Sequence, residues 1–221
     1  MTTMNCSDNF SHFDLTELPQ ADAYKLLTSI IVPRPIAWIV SVDCSNSVNA
    51  APFSFFNIVA SDPPMVAVGF SGGHDSREKD TLANIIALGE FVVNMVPEEL
   101  VEAMNITAVD APRGVDETRL AGLDLAPGSA IHGFRIVDSP AALECKLYQV
   151  LRPGISTICL ARIVYLHVRT EAFANLSRLH VDGAKLQLIG RMQSPSSYTR
   201  TRDTFQVVRK EWPLSPKSFP K

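Results

Sequence analysis

Two long β-type runs, Ala142 to Leu151 and Ile155 to Val168, flank Arg152-Pro153-Gly154. A Pro-Gly pair between runs rich in β-branched and apolar residues turns the chain sharply, so the two runs predict a hairpin. Shorter segments follow the same pattern. Ile36 to Val42 ends in Asp43-Cys44-Ser45-Asn46, Val48 to Phe53 follows, and Met65 to Phe70 is entered from Asp62-Pro63-Pro64 and left through Ser71-Gly72-Gly73. Each is a predicted strand bounded by turn residues, and Phe91 to Val96 adds another.

Helical spacing is rarer. Leu82, Ile85 and Ile86 fall on one helix face, so Thr81 to Leu88 is a predicted helix, with Asp80 or Thr81 able to cap it and Gly89 able to stop it. Pro97-Glu98-Glu99 opens a second helix in which Leu100 and Met104 share a face. Asp110 to Phe134 reads as a long surface connection with a short helical turn around Asp116 to Leu120. Many strands joined by turns with few helices point to a mainly β, antiparallel barrel or sandwich, and a doubly wound parallel sheet fits poorly.

Composition narrows the function. Apolar residues make up 46% against 19% charged, enough for a substantial core in one domain of 221 residues. A formal charge of −3 supplies no field for gathering nucleic acid or an anionic membrane, so neither is an expected partner. Cys6, Cys44, Cys145 and Cys159 lack metal or dithiol spacing, and His12, His74, His132, His167 and His180 are dispersed, so no metal site is expected. The first twenty residues carry no basic-then-apolar leader pattern, and the apolar window Ile30 to Val42 is broken by Pro33-Arg34-Pro35. With scattered thiols this leads to the expectation of a soluble, cytoplasmic protein.

One pair of segments carries chemistry. Asn49-Ala50-Ala51-Pro52-Phe53-Ser54-Phe55-Phe56-Asn57 offers backbone and small polar groups to a flat heteroaromatic ring, and Ser76-Arg77-Glu78-Lys79-Asp80-Thr81 offers cations and amides to a phosphate. Flavin mononucleotide (FMN) has those two ends. Taken alone, Ala51 to Phe56 reads as a structural strand end, and Arg77 to Thr81 as a solvated turn with a helix cap. Pro52 has no amide hydrogen and suits a strand edge, while cations at a Gly-rich helix entry favour an anion. GxGxxG and GxxxxGK[ST] loops are absent, so a nucleotide would have to be held in another way.

Together these blocks resemble the flavin reductase-like family, the split-barrel flavin-binding proteins that include flavoredoxins and reductase partners of two-component monooxygenases. The resemblance rests on Pro33-Arg34-Pro35-Ile36-Ala37-Trp38, Asn49 to Asn57 with Ser61 to Pro64, Lys79 to Ile85, Glu90 to Asn94, Gly114 to Glu117 and Ser139-Pro140 through Leu143 to Cys145. It implies a six-stranded Greek-key split barrel, a homodimer, FMN as cofactor and NADH or NADPH as hydride donor, with a monooxygenase as a possible partner. By similarity, Asn49, Ala51, Pro52, Phe53 and Ser54, with Phe56 and Asn57 nearby, hold the ring. Ser71, Arg77, Lys79, Asp80 and Thr81 surround the phosphate, and Gly190-Arg191 and Tyr198 lie near the flavin.

Ser54 is the candidate catalytic residue, donating toward N5 or O4 of the ring. Met192 to Ser197 departs from the Gly-rich turn that often follows the family's Gly-Arg pair. His74 adjoins the expected phosphate loop and His132 lies in a connection able to overhang the ring. The expected layout is an N-terminal extension at 1–20, the domain at 21–204 and a tail at 205–221. An electron carrier without a nicotinamide site, and a barrel recruited to other chemistry on a small organic substrate, remain open readings.

Overall fold

The computed structural model describes residues 9–71, 78–193, 195–210 and 212. In chain order the elements are α1 (Gln20–Ile30), β1 (Ala37–Val42), β2 (Val48–Phe53), β3 (Phe56–Ser61), β4 (Pro64–Phe70), α2 (Asp80–Leu88) and β5 (Glu90–Asn94). A 3-10 turn at Glu98–Leu100 runs into α3 (Val101–Ile106), followed by α4 (Glu117–Leu120), β6 (Leu125–Pro127) and β7 (Phe134–Ile136). The long hairpin is β8 (Ala141–Leu151) and β9 (Thr157–Val168), and the chain continues through β10 (Phe173–Asn175), β11 (His180–Val181), β12 (Ile189–Arg191) and β13 (Tyr198–Arg200).

The main sheet is antiparallel, with seven strands in the order β2-β1-β5-β8-β9-β4-β3. Its two end strands, β2 and β3, are separated in sequence only by Ser54 and Phe55. The sheet therefore curls back on itself, and Gly69 N donates to Phe55 O at 2.7 Å across the join. Seven strands stand where the resemblance implied six, because the chain from Val48 to Ser61 breaks at that corner into one strand paired with β1 and another paired with β4.

Two apolar layers lie on either side of the wall. Ala37, Ile39, Val66, Val68, Phe91 and Val93 meet Leu82 and Ile85 of α2, so that helix closes the interior. On the outer side Ile36, Trp38, Val40 and Ala50 pack with Met104, Ile136 and Ile189. All six residues of β1 are buried, which is why its sequence is a nearly unbroken apolar run. Burying a large side chain such as Trp38 contributes roughly 2–3 kcal/mol on area grounds.

Buried polar groups tie the excursions to the barrel. Asn94 Nδ2 donates to Trp38 O at 3.1 Å and its Oδ1 accepts from Ile136 N at 2.9 Å, fixing β7 against β1. Glu144, fully buried on β8, accepts from the amides of Ser129 and Ala130 at 2.6 Å and of Ile131 at 3.1 Å, with His167 Nε2 at 2.6 Å from its Oε1. The loop after β6 is thus hung on one carboxylate.

Helix α2 departs in detail from its sequence reading. Lys79 is the N-cap, in extended conformation and without a side-chain capping bond, so neither Asp80 nor Thr81 caps the helix; Gly89 at φ 71° does end it. Helix α1 and strand β3 were not anticipated. In α1 only Thr28 is buried, and in β3 the adjacent Ile58 and Val59 are both exposed, so neither carries a clean apolar period. Among the described residues, no helix is long and apolar enough to cross a membrane.

Candidate functional site

Strand β2 ends the sheet order, so one of its edges has no strand partner among the described residues. Ala50 N donates to Glu117 Oε2 at 3.1 Å, which identifies 50 as a position turned away from β1. Alternation puts 52 on the same free edge, and Ser54 follows just beyond the end of the strand. Pro52 contributes no donor there, which leaves that part of the edge apolar beside Ser54.

Against this edge lie two adjoining cavities of about 130 and 350 Å³, which share Pro52, Phe53 and Ala108 and so form one groove. Its outer wall is the segment after α3. Trp38 Nε1 donates to Thr107 Oγ1 at 2.8 Å, and that hydroxyl donates to Met104 O at 2.8 Å, docking the wall on β1.

The smaller cavity brings together Asn49, Ala51, Lys79, Asp80 and Thr81, with Glu117 beneath them. Asn49 Nδ2 donates to Thr81 Oγ1 at 2.8 Å, so the buried hydroxyl keeps its own proton for another acceptor. The first turn of α2 has no side-chain cap, and its amides add the positive end of the helix dipole. Lys79 Nζ pairs with Asp110 at 3.2 Å across the mouth. Burial pushes the Glu117 carboxyl above its ordinary value, with Asp80 and Asp116 adding to the effect, which suits an acid placed beside an anion.

The larger cavity is lined by Ser54, Arg34, Arg191 and Tyr198, with Tyr24 and Thr28 from α1. Arg34 Nη1 donates to Thr28 O at 2.6 Å and Ile31 O at 2.9 Å, Nη2 to Met192 O at 2.9 Å, and Nε lies 3.5 Å from Ser54 Oγ. Backbone pairing of Arg34 with Arg191 joins β12 to the segment before β1. A Cβ on Gly190 would meet Pro33 Cβ at 3.1 Å, so the close approach favours glycine. The Arg191 guanidinium sits 4.7 Å above the Tyr198 ring.

Donors at one end and an apolar edge with a small hydroxyl at the other fit a phosphorylated flat ring. Phe56 and Asn57 line a third, more apolar cavity of about 580 Å³, which shares Thr28, Arg34 and Ser54 with the larger one and so continues the groove. Other anticipated residues lie elsewhere. Ser71 is exposed and lines no part of the groove, and Arg77 and His74 lie outside the described residues. His132 is exposed, with its amide held by Glu90 at 2.8 Å, and lines no part of it.

The flavin reductase like domain matches residues 29–187. The chain belongs to the flavin reductase-like family. A 2-nitrobenzoate 2-nitroreductase of Pseudomonas fluorescens is 33% identical with a TM-score of 0.83, covering 93% of this chain and 100% of that one. Nitrilotriacetate monooxygenase component B from Bacillus cereus is 30% identical with a TM-score of 0.85, over 91% and 100%. A Shewanella frigidimarina protein with a split barrel domain, 16% identical over 92% and 100% with a TM-score of 0.75, shows the same fold.

For this flavin reductase-like chain, sequence reasoning missed Arg34, Glu117, the α1 contacts and the wall 107–111. Arg34 and Glu117 sat inside quoted blocks, and a cation amid apolar residues was the available signal. The α1 and wall contacts arise from tertiary packing and left no local mark.

Proposed function

We propose that the groove holds FMN, phosphate at Thr81 and ring along Ala51 to Ser54, and that the protein is an NAD(P)H-dependent flavin reductase-like oxidoreductase. The observation that carries this reading is the uncapped α2 N-terminus with the Thr81 hydroxyl at one end of a groove whose other end is the free β2 edge. When bound, flavin supplies a hydride-accepting ring that passes electrons on.

The chain's own residues bind, orient and exclude water. Thr81, Lys79 and the α2 amides fix the charged end, Phe53 is braced 4.6 Å from Phe70, and the apolar edge at Pro52 to Phe53 keeps the ring end dry. Ser54 Oγ accepts from Arg34 Nε, so its proton remains available to donate into the groove. Stopped-flow mixing of flavin-loaded protein with NADH and with NADPH is expected to bleach the flavin with at least one of them, more slowly in Ser54→Ala. No bleaching with either would leave the electron-carrier reading, and an unchanged Ser54→Ala would remove that residue from the mechanism.

The solved relatives support an electron-delivering role, since one is named as a monooxygenase component, and a nitroreductase relative keeps a small organic acceptor in view. We read the molecule as a homodimer. Exposed Ile58, Val59, Tyr148, Leu151, Tyr165 and Leu166 lie on β3, β8 and β9, apolar surface of the kind subunits cover. Sedimentation should give a dimer, and a monomer with full flavin affinity would contradict a shared site. The domain is read as 21–204, extended by one residue to hold α1, and the unpaired thiols of Cys44, Cys145 and Cys159 suit a reducing cytoplasm.

A further inference from the structure

Among the described residues, the ring end of the groove holds two guanidinium groups and no carboxylate. Arg34 is 8% exposed, and among the described residues its side-chain hydrogen bonds go only to the carbonyls of Thr28, Ile31 and Met192 and to the Ser54 hydroxyl. Among the described residues the Arg191 side chain makes a single hydrogen bond, Nη2 to Pro195 O, and otherwise rests on the Tyr198 ring. Among the described residues neither arginine has an ion-pair partner, although the chain forms such pairs at Glu98, Glu90 and Asp116.

Backbone pairing of Arg34 with Arg191, at 2.9 and 2.8 Å, holds the two residues directly opposite each other. Like charges brought together in a half-enclosed cleft repel, and a buried cation without a counter-ion is costly. Carbonyls satisfy donors but leave the net charge in place. Among the described residues most side-chain N–H groups of Arg191 have no acceptor, and the cleft adds the hydroxyl of Ser54 and the amide of Asn105, the Thr28 hydroxyl being spent on Tyr24 O at 2.8 Å. This is the donor set that recognises a carboxylate or phosphate oxygen.

We infer that the cleft between Arg34 and Arg191 is an anion subsite that seats the anionic group of the second reactant, the one that exchanges electrons with flavin. The inference rests on the proposed flavin site for the identity of that reactant; the anion binding itself does not. Two carriers share the chemistry: a small organic carboxylate, and the pyrophosphate of a nicotinamide dinucleotide.

Calorimetric titration of the full chain with benzoate, with its neutral analogue benzamide, and with adenosine diphosphate separates them. At least one anion is expected to bind, with benzamide at least about tenfold weaker than benzoate where benzoate is the ligand. R191Q should weaken the bound anion at least about tenfold, and R191K should recover part of that loss. Arg191 is the residue to change because Arg34 also ties down the end of α1. Binding of benzoate assigns the subsite to an organic carboxylate, and binding of adenosine diphosphate alone assigns it to the dinucleotide. Binding of neither anion, equal binding of benzamide and benzoate, or indifference to R191Q overturns the inference. Flavin absorbance of the same samples keeps the two readings apart: flavin retained without anion binding removes only the subsite, and anion binding without flavin removes only the flavin site.

Discussion

Glu144→Gln is expected to lower the unfolding free energy by about 3 kcal/mol, because one carboxylate accepts from three loop amides and faces His167. An amide of the same size cannot replace it. Its NH2 group would meet backbone N–H donors at positions where the carboxylate places its oxygens 2.6 Å away. In a chain of this size the melting temperature should fall by roughly 6–12 °C. A fall of a degree or less would mean that the loop is held elsewhere.

The pH dependence has a definite sign. Burial alone would push the Glu144 carboxyl up, but the Ser129 amide, His167 and the Ala130 amide outweigh it and hold the group below its ordinary value of 4.5. A depressed folded-state value means that the unfolded chain binds the proton first, so the contribution is present above about pH 4.5 and is lost as the pH falls through the folded value. The stability gap between wild type and Glu144→Gln should therefore narrow in acid. Residues 129–131 line no part of the groove, so flavin affinity below the melting range should be unchanged.

Lys79→Glu is expected to weaken FMN binding by roughly 30-fold, or about 2 kcal/mol, while riboflavin binding changes little. Lys79 precedes the uncapped turn of α2 and sits at the mouth of the cavity that holds the Thr81 hydroxyl. Reversing its charge sets a carboxylate beside the phosphate and breaks the pair with Asp110. Its side chain is about half exposed, so the fold should tolerate the change. Equal losses for FMN and riboflavin would move the phosphate elsewhere.

Strong, local periodicity was readable from the chain. The β8–β9 hairpin is announced by Arg152-Pro153-Gly154, β1 by a run buried on both faces, and α2 by Leu82 and Ile85 ending at Gly89. The cluster at the start of α2 was readable too, since Lys79, Asp80 and Thr81 are consecutive and a helix start brings their amides together. The Arg34–Arg191 end of the groove was not. Arg34 and Arg191 are opposed only through pairing between distant segments, and Tyr24 and Thr28 reach the cleft from a helix with almost no buried face. The break at Ser54-Phe55 that closes the barrel carries one Ser between aromatic residues and no Gly, Asn or Asp, so the extra strand left only a weak mark in the sequence.

The most direct measurement is calorimetric titration of the purified full chain with FMN and, separately, riboflavin. A site with its phosphate at the Thr81 helix should give FMN binding that saturates near one flavin per chain, with riboflavin at least about tenfold weaker. Absence of heat with FMN, or equal affinity for the two flavins, would contradict it.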